Sequence, residues 1–152
     1  MKISDPDRDL LRELQTDASR PLSEIGEKVG MAQSTVSRKI AEFEAAGLIK
    51  GRVVLLDPAK AGAKLCVFAS VSLEDHSEAS VHAFAAVVAA HSEILECHAV
   101  SGTSDYILKI RVADVEAYET FMTHVLLRNR HVRSVVSSFS LREIKSSIAL
   151  PL

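Results

Sequence analysis

An α+β fold in two parts is what the sequence predicts, and three observations predict it. Apolar residues recur at helical spacing up to Leu48, strand and helix periods alternate from Leu65 to Ile144, and Asp57-Pro58-Ala59-Lys60-Ala61-Gly62 breaks both patterns between them. These place a first domain over residues 1–56, a linker over 57–64 and a second domain over 65–152.

The chain opens with a helix start. Ser4-Asp5-Pro6-Asp7 supplies a cap, a proline near the first helical position and acids against the positive end of the helix dipole. Leu10, Leu11 and Leu14 then form an apolar face, and Thr16 to Pro21 is loop. In the next helix Leu22, Ile25 and Val29 make one stripe; in the third, Val36, Ile40 and Phe43 make another, with Leu48 just past a left-handed C-cap at Gly47. Gly30-Met31 permits the sharp turn that sets these two helices steeply across one another, the geometry of a helix-turn-helix. A glycine inside a helix costs about 1 kcal/mol against alanine, so Gly26 is expected where the helices approach closely.

Outside the stripe of the third helix lie Gln33, Ser34, Thr35, Ser37, Arg38 and Lys39. Gln pairs with adenine and Arg with guanine in the major groove, and hydroxyls serve base or phosphate. A polar face alone suits a solvated helix better; the helix-turn-helix frame reverses that reading toward double-stranded DNA. Leu48 to Leu56 is β-prone around Gly51 and reads as a small wing whose Lys50 and Arg52 reach phosphate, or as an ordinary edge hairpin. The chain carries a net charge of −2, but from Lys28 to Arg52 five basic residues stand against two acidic ones. Such a modest excess suits a module whose affinity is multiplied by dimerisation.

The second half reads βαββαβ. Leu65 to Leu73 is a strand with Leu65, Val67, Ala69, Val71 and Leu73 on one face, and Ser77 to Ala90 a helix with Val81, Phe84, Ala85 and Val88 inward. Ile94 to Ser101 is a strand, Gly102 to Asp105 a turn, and Tyr106 to Val112 a strand in which apolar residues alternate with Lys109 and Arg111. Asp114 caps a helix with Val115, Tyr118, Met122 and Val125 inward, and Val132 to Ile144 is the last strand. This order is the ferredoxin-like split βαβ unit, with helices on one face of an antiparallel sheet. The other face, expected to carry Cys66, Phe68, Leu95, Cys97 and Phe139, is left bare, and a second copy is the simplest cover. Two readers related by a two-fold imply a roughly palindromic operator with half-sites about 34 Å apart or multiples of it.

Leu22 to Ile40, followed by Phe43-Glu-Ala-Ala-Gly-Leu-Ile-Lys-Gly51, resembles the winged helix-turn-helix of the Lrp/AsnC (leucine-responsive/asparagine-responsive, feast/famine) transcriptional regulators, and the likeness continues through the C-terminal half. Three residues depart from that pattern. Ala32 stands where a serine N-cap is usual, which removes an acceptor worth typically about 1 kcal/mol, Phe43 replaces a leucine, and Arg52 a tyrosine. The resemblance implies dimers that assemble into tetramers or octamers, and a free amino acid bound between subunits beside a Gly-x-x-Asp turn, here Gly102-Thr103-Ser104-Asp105, followed by Tyr106. Exposed turn N–H groups and hydroxyls suit an α-carboxylate, and Asp105 an α-ammonium; the same turn also suits a plain hairpin with Asp105 bonding backbone. The last strand and Leu150-Pro151-Leu152 resemble members that respond to leucine or related apolar amino acids.

Other classes have little support. There is no GxSxG elbow, phosphate-binding glycine loop or HExxH helix, and His98 and Ser101, at odd separation on a strand, point to opposite faces, so an enzyme is not expected. Neither the histidines nor Cys66 and Cys97 have metal-site spacing; the thiols read as reduced strand residues, and no cofactor is implied. No apolar run approaches the length of a membrane span and Met1 to Leu10 is unlike a signal peptide, so the cytoplasm is the expected location. The rival to an effector-modulated regulator is an effector-independent, nucleoid-type architectural DNA binder.

Overall fold

A computed structural model describes residues 3–152; residues 1 and 2 of the predicted first domain lie outside the described residues. The elements are α1 (Asp5–Thr16), α2 (Leu22–Val29), α3 (Gln33–Ala45), β1 (Leu65–Leu73), α4 (Glu78–Ala90), β2 (Ile94–Ala99), β3 (Tyr106–Val112), α5 (Val115–Phe121) with a π-helical turn over Met122–Leu126, and β4 (Val132–Phe139). They form two compact units, one running up to Val54 and taking in Ile144–Leu152, the other Leu55–Glu143.

In the first unit Ser4 and Asp7 cap α1 reciprocally: the Asp7 N–H donates to Ser4 Oγ (3.4 Å) and the Ser4 N–H to Asp7 Oδ2 (3.3 Å). Leu10, Leu11, Ile25, Val36, Ile40 and Phe43 are buried together, with Leu14, Leu22 and Val29 packed at the edge. Helices α2 and α3 end in the same turn. Gly30 and Gly47 take left-handed φ of 67° and 71°, and the next N–H reaches back to close it, Met31 to Gly26 O (2.8 Å) and Leu48 to Phe43 O (2.9 Å). After the second turn Ile49, rather than the expected Leu48, joins the core; Leu48 is exposed.

Gly26 has the steric role its position predicted. A Cβ there would lie 2.4 Å from the Met31 carbonyl oxygen and 3.5 Å from Val36 Cγ2. The obstacle is backbone, so no rotamer relieves it.

Two parts of this region differ from expectation. No strand forms between Leu48 and Lys64, so the wing is absent as a sheet. Gly51 is not among the positive-φ glycines, the chain does not make a tight hairpin there, and Val53, Val54, Leu55 and Leu56 stand 75%, 84%, 70% and 71% exposed. The C-terminal tail, read from sequence as part of the second domain, packs with the first unit. Gln15 donates to Leu150 O (3.2 Å) and accepts from its N–H (2.6 Å), Arg12 Nε donates to Leu152 O (2.8 Å), and Leu152 lies against the core.

The second unit is an antiparallel sheet in the order β2-β3-β1-β4. Val67, Ala69, Val71 and Leu73 of β1 and Leu108, Ile110 and Val112 of β3 pack under Phe84, Tyr118, Phe121 and Leu126. The buried row of α4 is Ser80 and Phe84, with Val88 beside it; Val81 and Ala85, expected inward, are exposed. Ser80 is satisfied in the interior by donating to Asp75 Oδ1 (2.7 Å) and meeting His131 Nδ1 (2.8 Å). In α5 Val115 is 60% exposed and Phe121 is buried instead.

The bare sheet face is also composed differently. Register pairs Cys97 with Leu108 and Phe139 with Val67, which turns both toward the helices, where Phe139 meets Tyr118 edge-on (5.5 Å between centroids). The outer face carries Phe68, Ile107 and Val136, all exposed, beside the ion pairs Lys109–Glu96 (2.9 Å) and Arg111–Glu143 (3.0 Å). β4 stops at Phe139, short of the expected Ile144: its pairing with β1 ends at Val67↔Phe139, with one further bond from the Ser140 N–H to Cys66 O (2.9 Å) near the start of β1. Among the described residues no helix is long and apolar enough to cross a membrane.

Replacing Gly26 with alanine is expected to lower the unfolding free energy by about 1–3 kcal/mol, the usual cost of overpacking, in urea denaturation of the full chain. A change below about 0.5 kcal/mol, the range of an inert surface site, would show that the turn yields at no cost.

Candidate DNA interface and effector turn

Helix α3 owes its orientation to its stripe: with Val36, Ile40 and Phe43 buried, Gln33, Ser34, Ser37 and Arg38 are exposed and Thr35 is half-buried. Ala32 precedes it without a side-chain cap, so no local acceptor covers the first-turn N–H groups. These N–H groups, with Gln33 and Ser34 beside them, form the end of the helix suited to phosphate and base edges.

The charges are less free than the sequence count implied. Lys39 does not belong to the outer face: its ammonium pairs with Asp7 of α1, the two side chains being 22% and 12% exposed. That cation, together with the Ser4 hydroxyl (2.6 Å), holds the Asp7 carboxyl below its ordinary value of 3.8. Arg38 pairs with Glu42 one turn on, Arg52 with Glu44 (2.9 Å) and Lys28 with Glu13 (3.5 Å). The Arg38 and Arg52 pairs are solvent-exposed and so cost little to exchange for phosphate or a base. Lys50 is exposed and forms no ion pair among the described residues.

The Gly102–Asp105 turn joins β2 to β3. Gly102 takes φ 147°, a conformation that favours glycine, Thr103 is exposed and Ser104 half-buried. Asp105 is built into the sheet end. Its N–H donates to Val71 O (2.9 Å), its Oδ2 accepts the Leu73 N–H (2.7 Å), and its Oδ1 lies 2.7 Å from His76 Nε2. His76, then the Leu73 N–H, hold this carboxyl below its ordinary value, so it is charged at neutral pH. Tyr106 turns away from the turn to pack on Phe84, 4.7 Å between ring centroids.

The sequence reading gave Asp7 a place at the helix start but missed its pairing with Lys39, and it missed His76 altogether. Neither contact had a local signal: Lys39 reaches Asp7 only through the packing of α3 on α1, and the approach of His76 to Asp105 depends on how β1 pairs with β3.

A helix-turn-helix that presents an open polar helix, joined to a helix-backed antiparallel sheet, defines a DNA-binding transcriptional regulator. Family models match both halves, the AsnC-type helix-turn-helix domain over residues 3–44 and the Lrp/AsnC ligand binding domain over residues 66–150, and the chain belongs to the Lrp/AsnC family. It is 35% identical over 151 residues to the glutamate uptake regulatory protein of Zymomonas mobilis subsp. mobilis, covering 99% of this chain and 92% of that protein. It is 35% identical to the leucine-responsive regulatory protein of Salmonella typhimurium, covering 93% and 86%. A transcriptional regulator of Neisseria meningitidis, solved as its L-Met complex, superposes with a TM-score of 0.94 at 31% identity, covering 99% of this chain and 97% of the other.

Asp7→Asn is expected to destabilise the chain by about 1.5–3 kcal/mol near neutral pH, the range for hydrogen bonds to charged groups. Because the folded-state value is depressed, this contribution is present above the ordinary value of 3.8 and is lost as pH falls through the folded value, so wild type and variant converge in acid. Urea melts across pH check both. Arg38→Ala should leave stability within about 0.5 kcal/mol and relax discrimination at one operator position by about 1–3 kcal/mol. Equal weakening on every DNA sequence would assign Arg38 to phosphate.

Proposed function

We propose that this regulator reads double-stranded DNA through α3 as a two-fold dimer, and that a free amino acid bound beside the Gly102–Asp105 turn changes its assembly or its DNA affinity. The observation that carries the effector half is the state of Asp105. One carboxylate oxygen is fixed by a backbone N–H and the other meets only the side chain of His76, itself 75% exposed. An α-ammonium brings a full positive charge and three donors to that oxygen, where His76 brings one exposed ring nitrogen, and can take its place. The Neisseria meningitidis relative holds L-Met, which supports a ligand of this class here. No cofactor and no catalytic step enter this reading, and the protein acts in the cytoplasm, where its DNA is.

Phe68, Ile107 and Val136 on the uncovered sheet face favour a second copy as the partner in the dimer, since a two-fold contact lays the same apolar patch against itself. Dimers can then associate into tetramers or octamers. The dimer adds the phosphate contacts of two readers, which the few unpaired cations of one copy call for. For the effector to change DNA affinity about 100-fold it must distinguish two assembly states by about 2.7 kcal/mol, within the reach of one ion-paired amino acid.

The test is a melting scan of the purified chain against each standard amino acid. A responsive ligand at about 100 times its dissociation constant stabilises by about 2.7 kcal/mol. Asp105→Ala should abolish that shift while operator binding without ligand persists. A flat panel would overturn the effector reading and leave the architectural DNA binder in its place.

A further inference from the structure

We infer that Arg133 holds the α-carboxylate of the effector, opposite Asp105 on its ammonium. This rests on the effector reading above and adds the second half of a zwitterion site. The turn itself offers N–H groups and hydroxyls but no full positive charge.

The placement comes from a fault in the sheet. β1 and β4 stay in register from Val67↔Phe139 to Ser72↔Ser134, and then Leu73 pairs with Val132, so Arg133 is the extra residue of a β-bulge. A bulge re-aims the side chain it carries. The β1 residue opposite, Leu73, is the one whose N–H is bonded to Asp105 Oδ2 (2.7 Å). Neighbouring strands lie about 4.8 Å apart, so Arg133 leaves the backbone one strand spacing from the segment that anchors Asp105.

Arg133 is also the cation left available there. It is exposed and takes part in no ion pair among the described residues, while Arg111 is committed to Glu143 (3.0 Å) and Lys109 to Glu96 (2.9 Å). Arg130, nearby in sequence, donates through Nε to His131 Nε2 (3.4 Å). Residues 120–142 hold Arg128, Arg130, Arg133 and Arg142 and no acid; Glu74, whose N–H donates to His131 O (2.9 Å), is the acid across the strand pair, and it forms no ion pair with Arg133 among the described residues. A guanidinium grips a carboxylate through two parallel N–H bonds, which a turn of neutral donors does not match in strength. An opposed carboxylate and guanidinium select a ligand that carries both charges, which separates free amino acids from simple amines and acids.

The experiment measures binding of L-methionine, L-leucine and then the remaining amino acids, and of the amide of each responsive one, to wild type and to Arg133→Ala, by calorimetry and melting. Amidation removes the carboxylate charge and keeps the ammonium. In wild type it should weaken binding by about tenfold or more; in R133A that penalty should vanish, and amino-acid binding should fall by about tenfold to 100-fold. Melting without ligand should be unchanged. Wild-type affinity in R133A, or the same amidation penalty in both proteins, would overturn the assignment and leave the effector reading standing. A wild type that binds no amino acid would overturn both.

Discussion

No atom fits between Gly26 and the Met31 carbonyl, and the reader unit is arranged around that contact. Because backbone meets backbone there, α2 and α3 approach at a distance that any side chain would forbid, and the left-handed Gly30 closes the turn. The crossing then places Val36, Ile40 and Phe43 in the interior, which leaves Gln33, Ser34, Ser37 and Arg38 outside. Lys39, at the side of the helix, is drawn to Asp7, so the capped start of α1 braces the flank of the reading helix. The position of these exposed residues therefore follows from packing, and their chemistry is free to differ without disturbing it.

The helices of the first unit and the central strands were legible because each has one apolar face and one polar face, as in β3, where Lys109 and Arg111 interrupt the buried residues. Where that contrast fails, so does the reading. Helix α4 is rich in alanine and valine, and almost any face of it looks apolar; the choice is made by Ser77 at its cap and by Ser80, whose buried hydroxyl is held by Asp75 and His131. The π-helical turn after Phe121 shifts the inward row at the end of α5. A bulge at Leu95 breaks strand parity, so Leu95 is exposed while Cys97 turns to the helices with Leu108. At the candidate site the turn was legible as a turn. What surrounds Asp105 was not, because Leu73 and His76 reach it only through strand pairing.

Electrostatics in this chain is organised by pairing rather than by accumulation. Of the five basic residues between Lys28 and Arg52, four sit beside an acid, two of those acids in α1. Exposed pairs such as Arg38–Glu42 are weak and easily exchanged.

The bare Val53-Val54-Leu55-Leu56 strip has a consequence for the life of the chain before assembly. A β-prone apolar run without regular structure is a template for cross-β aggregation, and a newly made copy carries it in the open. Arg52 on one side and Asp57-Pro58 on the other are the residue types that act as gatekeepers, charge and proline, the latter unable to donate to a growing ladder. The same residues thus serve twice: Asp57 also caps the turn that follows, accepting from the Ala59 and Lys60 N–H groups (2.9 and 3.2 Å), and Arg52 pairs with Glu44, so the border that guards the strip is also part of the local structure.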